Sequence, residues 1–178
     1  MNKVLDNSVF GFKALAGCKI FLMPHQLNTI MRCYQEKNCR YMLADEDGMG
    51  KTIEAAAVLK LYMLNNAKKK LLIAVPDALV EQWKVELFFK FDIYEGDDRN
   101  DNNLSIVPFS SINEWNSFDE YDFVIMDEAH RLLQDTENYH RYHELSRKTA
   151  NLLLLSATPL QKKTEEFLLL LRLLDPSK

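Results

Sequence analysis

The chain has few cysteines, no long apolar run and no strong excess of either charge. Its three cysteines, Cys18, Cys33 and Cys39, fall in no metal-type spacing, and their odd number argues against a secreted disulfide framework. A reduced, cytoplasmic compartment is expected. No apolar stretch reaches the length that a bilayer crossing needs, so no membrane partner is expected. Met1 to Phe10 carries a lysine and an aspartate and lacks an apolar h-region, so it does not read as a signal peptide. The formal net charge of −4 does not advertise a nucleic-acid binder, although net charge does not describe any one face. Internal repeats and low-complexity segments are absent. What is present is ordinary for a globular protein: 47% apolar and 27% charged residues over 178 positions, enough for one domain with a substantial core.

Apolar runs and helical periodicity alternate along the chain. Residues 1–19 show no clear period and are expected to form a loosely held N-terminal arm, with residues 20–178 as one domain. Pro24 opens a helix whose apolar positions Leu27, Ile30, Met31 and Tyr34 keep helical spacing. Tyr41 to Ala44 reads as a short buried strand and Thr52 to about Leu64 as a helix. Leu71–Val75, Leu104–Val107, Phe123–Met126 and Leu152–Leu155 are further strand candidates, and three of them are continuous apolar runs of the kind a parallel sheet buries on both faces. Asp77 is expected to cap a helix that turns Leu79, Val80, Trp83, Leu87 and Phe88 inward. Ser110 or Ser111 is expected to cap a short helix through Trp115. Another helix is expected from Tyr139, and a last one from about Lys163 to Leu174. This alternation implies an α/β fold with a mainly parallel sheet covered by helices on both faces. In such sheets ligands bind beyond the carboxyl ends of the strands. Those ends carry Asp45 to Thr52, Pro76-Asp77, Asp127 to His130 and Ser156 to Thr158.

The stretch Leu43-Ala44-Asp45-Glu46-Asp47-Gly48-Met49-Gly50-Lys51-Thr52 has the layout of a phosphate cradle: strand, glycine loop, helix. Gly48 and Gly50 can take positive φ and let backbone approach a ligand. Successive N–H groups there form an anion nest, and the helix N-terminus adds partial positive charge. Lys51 suits the β- and γ-phosphates and the Thr52 hydroxyl suits Mg²⁺. The general pattern asks for glycine where Asp45 stands, and a helix start behind two turn glycines reads the same residues structurally. Asp127-Glu128 follows an apolar strand, where a P-loop enzyme keeps its second acidic motif. Asp127 fits the metal and Glu128 the attacking water. A helix start favours acidic residues too. The two strand ends together favour nucleotide chemistry.

Beyond these residues the chain resembles a known family. Asp127-Glu128-Ala129-His130 is similar to the DEAH box of helicase-like superfamily-two ATPases. Ser156-Ala157-Thr158-Pro159 resembles their third motif and Pro24-His25-Gln26 their adenine-reading Q motif. Leu43 to Thr52 resembles the form used by Swi/Snf-type translocases, which carry aspartate at the position of Asp45. Val75-Pro76 with Leu79 to Trp83 resembles motif Ia, and Leu170 to Pro176 the stretch that closes the first RecA-like lobe. The sequence after the DEAH box lacks the Lys-Asn usual in remodellers. That is closer to the bacterial branch that includes the RNA-polymerase-associated recycling ATPase, a bacterial or phage-like setting.

The resemblance implies a RecA-like P-loop NTPase lobe that uses ATP and Mg²⁺ and acts on double-stranded DNA, with RNA or a DNA-bound protein such as RNA polymerase as other partners. It implies that His25 and Gln26 read adenine and that Asp47, Gly48, Met49, Gly50, Lys51 and Thr52 hold the nucleotide. Thr52 and Asp127 would hold the metal. Lys51, Asp127, Glu128 and His130 would form the catalytic set, and Ser156 and Thr158 would couple hydrolysis to lobe movement. Pro76, Ser110 and Ser111 would touch nucleic acid. Two departures weaken that last assignment: the Pro-x-Ser-Leu turn of motif Ia reads Asp77-Ala78-Leu79 after Pro76 here, with a carboxylate that repels phosphate, and Lys162 stands where the family often has asparagine. No match to a second lobe, whose arginines complete the site in this family, is found, so little turnover is expected of this chain alone. Strand separation by a helicase, and a non-catalytic nucleotide-binding or interaction module, remain the alternatives. Trp83 and Trp115 read as core or interface fillers, Lys68 to Lys70 as a solvated turn, and His140 with His143 does not make a zinc site by itself.

Overall fold

The computed structural model describes residues 15–44, 48, 50–66, 68–95, 103–114, 121–157 and 164–176. The expectations for Asp45, Asp47, Met49, Trp115 and Thr158 lie outside them. The elements are α1 (Pro24–Gln35), β1 (Arg40–Leu43), α2 (Lys51–Asn65), β2 (Lys70–Val75), α3 (Val80–Glu86), β3 (Asn103–Pro108), β4 (Phe123–Met126), α4 (Thr136–Lys148), β5 (Asn151–Leu155) and α5 (Thr164–Leu174). Short 3₁₀ turns at Asp77–Leu79, Phe109–Glu114 and Ala129–Gln134 join them. The five strands form one sheet in the order β1-β5-β4-β2-β3, and every pairing is parallel. The expected α/β, RecA-like architecture is therefore the one observed.

Alternation along the strands assembles the layers. Leu71, Ile73 and Val75 of β2, Phe123 and Ile125 of β4, and Leu153 and Leu155 of β5 point to one face, where α1, α2 and α3 pack. Leu72, Ala74, Val124, Met126, Leu152 and Leu154 point to the other, against α4 and α5. Register keeps like with like: Ile73 pairs Ile125, which pairs Leu153. Helix α2 is buried nearly all round, from Ala55 to Leu59, because it lies between the sheet and α1. The small Ala55-Ala56-Ala57 run lets it approach the sheet closely. Among the described residues no helix is long and apolar enough to cross a membrane.

Three local expectations change. First, residues 15–19 are not loose: Leu15 is buried in the first core face and the Lys19 amide donates to Lys90 O at 2.8 Å. Second, Asp77 does not cap α3; its Oδ1 accepts the Ser110 hydroxyl at 2.7 Å instead. Third, Phe88 does not point inward but is 50% exposed, and Phe91 is buried in its stead. After α3 the backbone widens into a π turn over Leu87–Phe91, closed by Asp92 at φ 52°. Leu87 and Phe91, four positions apart, share the core-facing side, and Phe88, next to Leu87, turns away from it. Helix α4 begins at Thr136, earlier than Tyr139, because Asp135 Oδ1 accepts the Glu137 and Asn138 amides.

At the N-terminal edge of the sheet a single side chain ties layers together. Arg40 Nε donates to Leu174 O at 2.6 Å and Nη2 to Leu173 O at 2.8 Å, while Nη1 donates to the Thr149 and Ser146 carbonyls. Those carbonyls belong to the ends of α4 and α5, where partial negative charge accumulates. Ser146 Oγ joins the set by accepting from Arg40 Nη2 and donating to Leu173 O. Arg40→Ala strands several buried carbonyls at once. It should lower stability by about 3 kcal/mol, read as a reduced urea midpoint at unchanged slope. Arg40→Lys should recover less than half of that loss, since an ammonium cannot span both helix ends.

Candidate nucleotide site

Helix α2 starts directly from the glycine loop. Gly48 has φ 85° and Gly50 φ 88°, both in the left-handed region. Gly50 is the N-cap of α2, no side chain caps the helix, and Glu54 N–H closes the first ladder bond on Gly50 O at 3.0 Å. A helix N-terminus left this way offers its first-turn amides to an anion. At Gly50 a Cβ would collide with Gln26 Nε2. Gln26 is itself buried, and its Oε1 accepts the Met23 amide at 2.9 Å, bracing the start of α1. The structure thus seats Gln26 over the loop, beside exposed His25. Lys51 is 8% exposed at the first position of α2, and Thr52 is half-buried next to it.

Across β5 from this loop, at the end of β4, lies Asp127. It is 6% exposed. Its Oδ1 accepts the Glu128 amide at 2.8 Å and its Oδ2 accepts Trp83 Nε1 at 2.8 Å. Burial pushes the Asp127 carboxyl above its ordinary range; the Trp83 and Glu128 donors, and the positive charge of Lys51, pull it back. The loop after β1 and the end of β4 lie on either side of β5, with Lys51 near enough for its charge to act on Asp127. Trp83 is a finding that sequence reasoning missed. It fills the core as expected, but its indole N–H also fixes the carboxylate.

Glu128 adopts φ 51°, ψ 43°, a conformation that costs a non-glycine residue about 1 kcal/mol. The left-handed turn ends β4 abruptly and starts the Ala129–Gln134 turn. His130 Nδ1 comes to lie 3.2 Å from Glu128 Oε2 and 3.2 Å from Ser156 Oγ. Of these two contacts the Ser156 one has hydrogen-bond alignment, while Glu128 Oε2 approaches the ring without it. Ser156 is fully buried, and its amide donates to Leu43 O at 3.1 Å. Glu128, His130, Ser156 and the end of β1 therefore form one continuous set of contacts.

The strand ends farther out behave differently. Pro76 is buried and its carbonyl accepts the Leu79 amide at 2.8 Å. The surface there is presented by Asp77 and Ser110, hydrogen-bonded to each other, while Ser111 Oγ donates to Pro108 O at 2.8 Å. Among the described residues no group of three or more His, Cys, Asp or Glu side chains is arranged to hold a metal ion, His140 and His143 included.

A family model, the SNF2-related domain, matches residues 24–178. The chain belongs to that family. A Bacillus subtilis (strain 168) relative, described as the uncharacterized ATP-dependent helicase YqhH, is 39% identical over 165 residues, which cover 86% of this chain and 29% of the relative. Two solved structures of the Sulfolobus solfataricus SWI2/SNF2 ATPase core share the fold. The one in complex with double-stranded DNA gives a TM-score of 0.76 at 21% identity over 89% of this chain and 36% of that one. The other gives 0.75 at 20% identity over 90% and 36%. The Hef helicase domain of Pyrococcus furiosus gives 0.63 at 21% identity over 85% and 35%. This SNF2-related chain thus spans roughly a third of the length of the relatives it matches.

The Trp83 bond yields a pH-dependent test. With its carboxyl raised by burial, folded Asp127 holds a proton more readily than the unfolded chain does. Its ionised form costs stability once pH climbs past the ordinary carboxylate range, and the Trp83 donor offsets part of that cost. Trp83→Phe should destabilise by about 2 kcal/mol at neutral pH and by less near pH 4, where a protonated Asp127 no longer needs the donor. Urea unfolding at the two pH values checks this; equal losses would mean that only packing had changed.

Proposed function

We propose that this chain is the ATP-binding, first RecA-like lobe of a DEAH-box, Swi/Snf-type translocase of the bacterial branch. ATP is the substrate, and double-stranded DNA is the track from which the whole protein displaces bound protein. The observation that carries the reading is the convergence of Gly48, Gly50 and Lys51 at the uncapped start of α2 with buried Asp127 at the end of β4. A glycine loop at an uncapped helix start suits the polyphosphate. Gln26, packed over Gly50, and exposed His25 suit the adenine end.

The residues also fit Mg²⁺ by their donor chemistry. Thr52 offers a hydroxyl at the helix start and Asp127 a carboxylate fixed in orientation by two donors. When bound, Mg²⁺ would neutralise phosphate charge and hold the substrate oxygens in register. The rest is the work of the chain's own side chains. Lys51 balances charge at the outer phosphates. Glu128, turned by its left-handed backbone, orients a water and takes its proton. His130 carries the state of Glu128 to Ser156 and so to the end of β1, with Thr158 as the second coupling residue. A second lobe would supply the arginines that stabilise charge in the transition state. Ser110 and Ser111 remain candidate nucleic-acid contacts, with Asp77 tempering the charge there. Strand separation rather than duplex translocation is the second reading within the same chemistry.

Isothermal titration of MgATP and MgADP into this chain is the direct test. Binding should be measurable in the wild type and at least about ten-fold weaker in Lys51→Ala, the loss of one charge-assisted phosphate contact. Phosphate release should stay near background with or without duplex DNA. No binding by the wild type would overturn the nucleotide reading. DNA-stimulated turnover by this chain alone would overturn the need for a second lobe.

A further inference from the structure

At the opposite pole of the sheet a cavity of about 500 Å³ opens between the C-terminal end of α1, the C-terminal end of α2 and the starts of β4 and β5. Its wall includes Cys33, Cys39, Glu36, Tyr62, Phe123 and Asn151. Cys33 lies in the last turn of α1 and Cys39 just before β1, with five residues between them. The two thiols share one wall of this cavity and lie near enough for each to shift the other's titration. They are 3% and 2% exposed and unbridged, so the cavity is their connection to small solutes. Asn151 Oδ1 accepts the Cys39 amide at 2.9 Å and pins that end of the pair to β5.

We propose that Cys33 and Cys39 form a reversible dithiol–disulfide couple, oxidised by hydrogen peroxide, which is small enough to enter this cavity. The geometry is that of a nucleophile with a candidate resolving partner in the same cavity wall. The Cys33 thiolate attacks the peroxide oxygen and becomes a sulfenic acid, releasing water once a proton is taken up. Cys39 then displaces hydroxide from the Cys33 sulfur, forming the S–S bond and a second water. Two electrons pass from the thiols to the peroxide, and a dithiol reductant reverses the change. The neighbouring Cys39 thiol draws Cys33 below the ordinary thiol range, while Cys33 and burial push Cys39 above it, which matches these roles. Cys18 serves as the internal comparison: burial pushes its thiol up and it does not line this cavity. The bond would fasten the end of α1 to the start of β1. Helix α1 carries Gln26, so oxidation would stiffen the mounting of the residue that overlies Gly50.

The test is thiol counting and intact mass on the whole chain after hydrogen peroxide treatment, with peptide mapping. Of the three thiols, two should disappear with a mass loss of about 2 Da; the mapped link should join Cys33 to Cys39, and dithiothreitol should restore both. Cys18→Ser should leave this behaviour unchanged. In Cys39→Ser the link should be lost and a sulfenic acid trapped by dimedone on Cys33. Survival of all three thiols, a link that includes Cys18, or gain of oxygen on both residues without a link would overturn the proposal. The wild-type measurement alone decides it, even where a serine variant folds poorly.

Discussion

An ionisable carboxyl at the end of a strand buried on both sides sets the terms for this molecule. All four residues of β4 are buried, and Asp127 follows them directly. A carboxylate there needs donors, because water is nearly excluded and an unpaired charge in such a place costs several kcal/mol. One donor comes from the next residue's own amide, and the other from Trp83 on α3, which follows β2, the strand paired with β4. The β2–α3 connection therefore serves the site as well as the core. Moving α3 by a single residue would remove the indole donor. The π turn after α3 has a consequence of the same kind: it returns Phe91 to the core without rotating Trp83 out of it.

Positive φ is the second local constraint, and it falls on both sides of the site. Gly48 and Gly50 take it without steric cost, whereas Glu128 takes it at a cost that only its surroundings can sustain. A residue in the ordinary helical or extended region would send the chain past β4 on another course. His130 would then no longer reach Ser156. Strain here supports a contact set that runs from the acidic pair to the end of β1. Gln26 adds the matching constraint on the loop: its amide occupies the space a side chain at Gly50 would need, so helix α1 and the loop can only fit together around glycine.

Much of this was legible in the sequence, for identifiable reasons. Continuous apolar runs marked β2, β4 and β5 because burial on both faces leaves no polar position to hide them. The glycine loop and the Asp127-Glu128 pair stood out because their residue types are rare at buried strand ends unless chemistry uses them. The Trp83–Asp127 bond was not legible, since it depends on β2 and β4 being neighbours, which the order of elements along the chain does not state. Arg40 was missed for the same reason: its acceptors lie more than a hundred residues away, and nothing in its local sequence separates it from a surface arginine. The inward place of Phe88 was misjudged because its apolar character was read as burial, whereas its neighbour Leu87 already holds the core-facing position. Asp77 looked like a cap by position, but the Ser110 hydroxyl brought close by the β2–β3 pairing competed for it.

The two poles of the sheet divide the demands of stability and chemistry. At the N-terminal edge polar groups are bonded to one another across layers. Arg40 spans the ends of α4 and α5; Asn151 accepts from the Cys39 amide and donates to Asp122 O; Asp122 takes Lys69 Nζ and the Lys70 amide. Each link is between segments distant in sequence, so this edge resists local opening. At the C-terminal edge the arrangement is the reverse: an uncapped helix start, a carboxyl raised by burial, a strained Glu128 and a histidine close to two partners. Those are the features that stabilising substitutions usually remove and that binding or catalysis usually requires. A sheet clamped at one edge can tolerate such a collection at the other, because the helices that carry Gln26, Lys51 and Trp83 are held in place by packing and by the far edge. Stability gained at the Arg40 edge is thus what permits a costly site at the Asp127 edge.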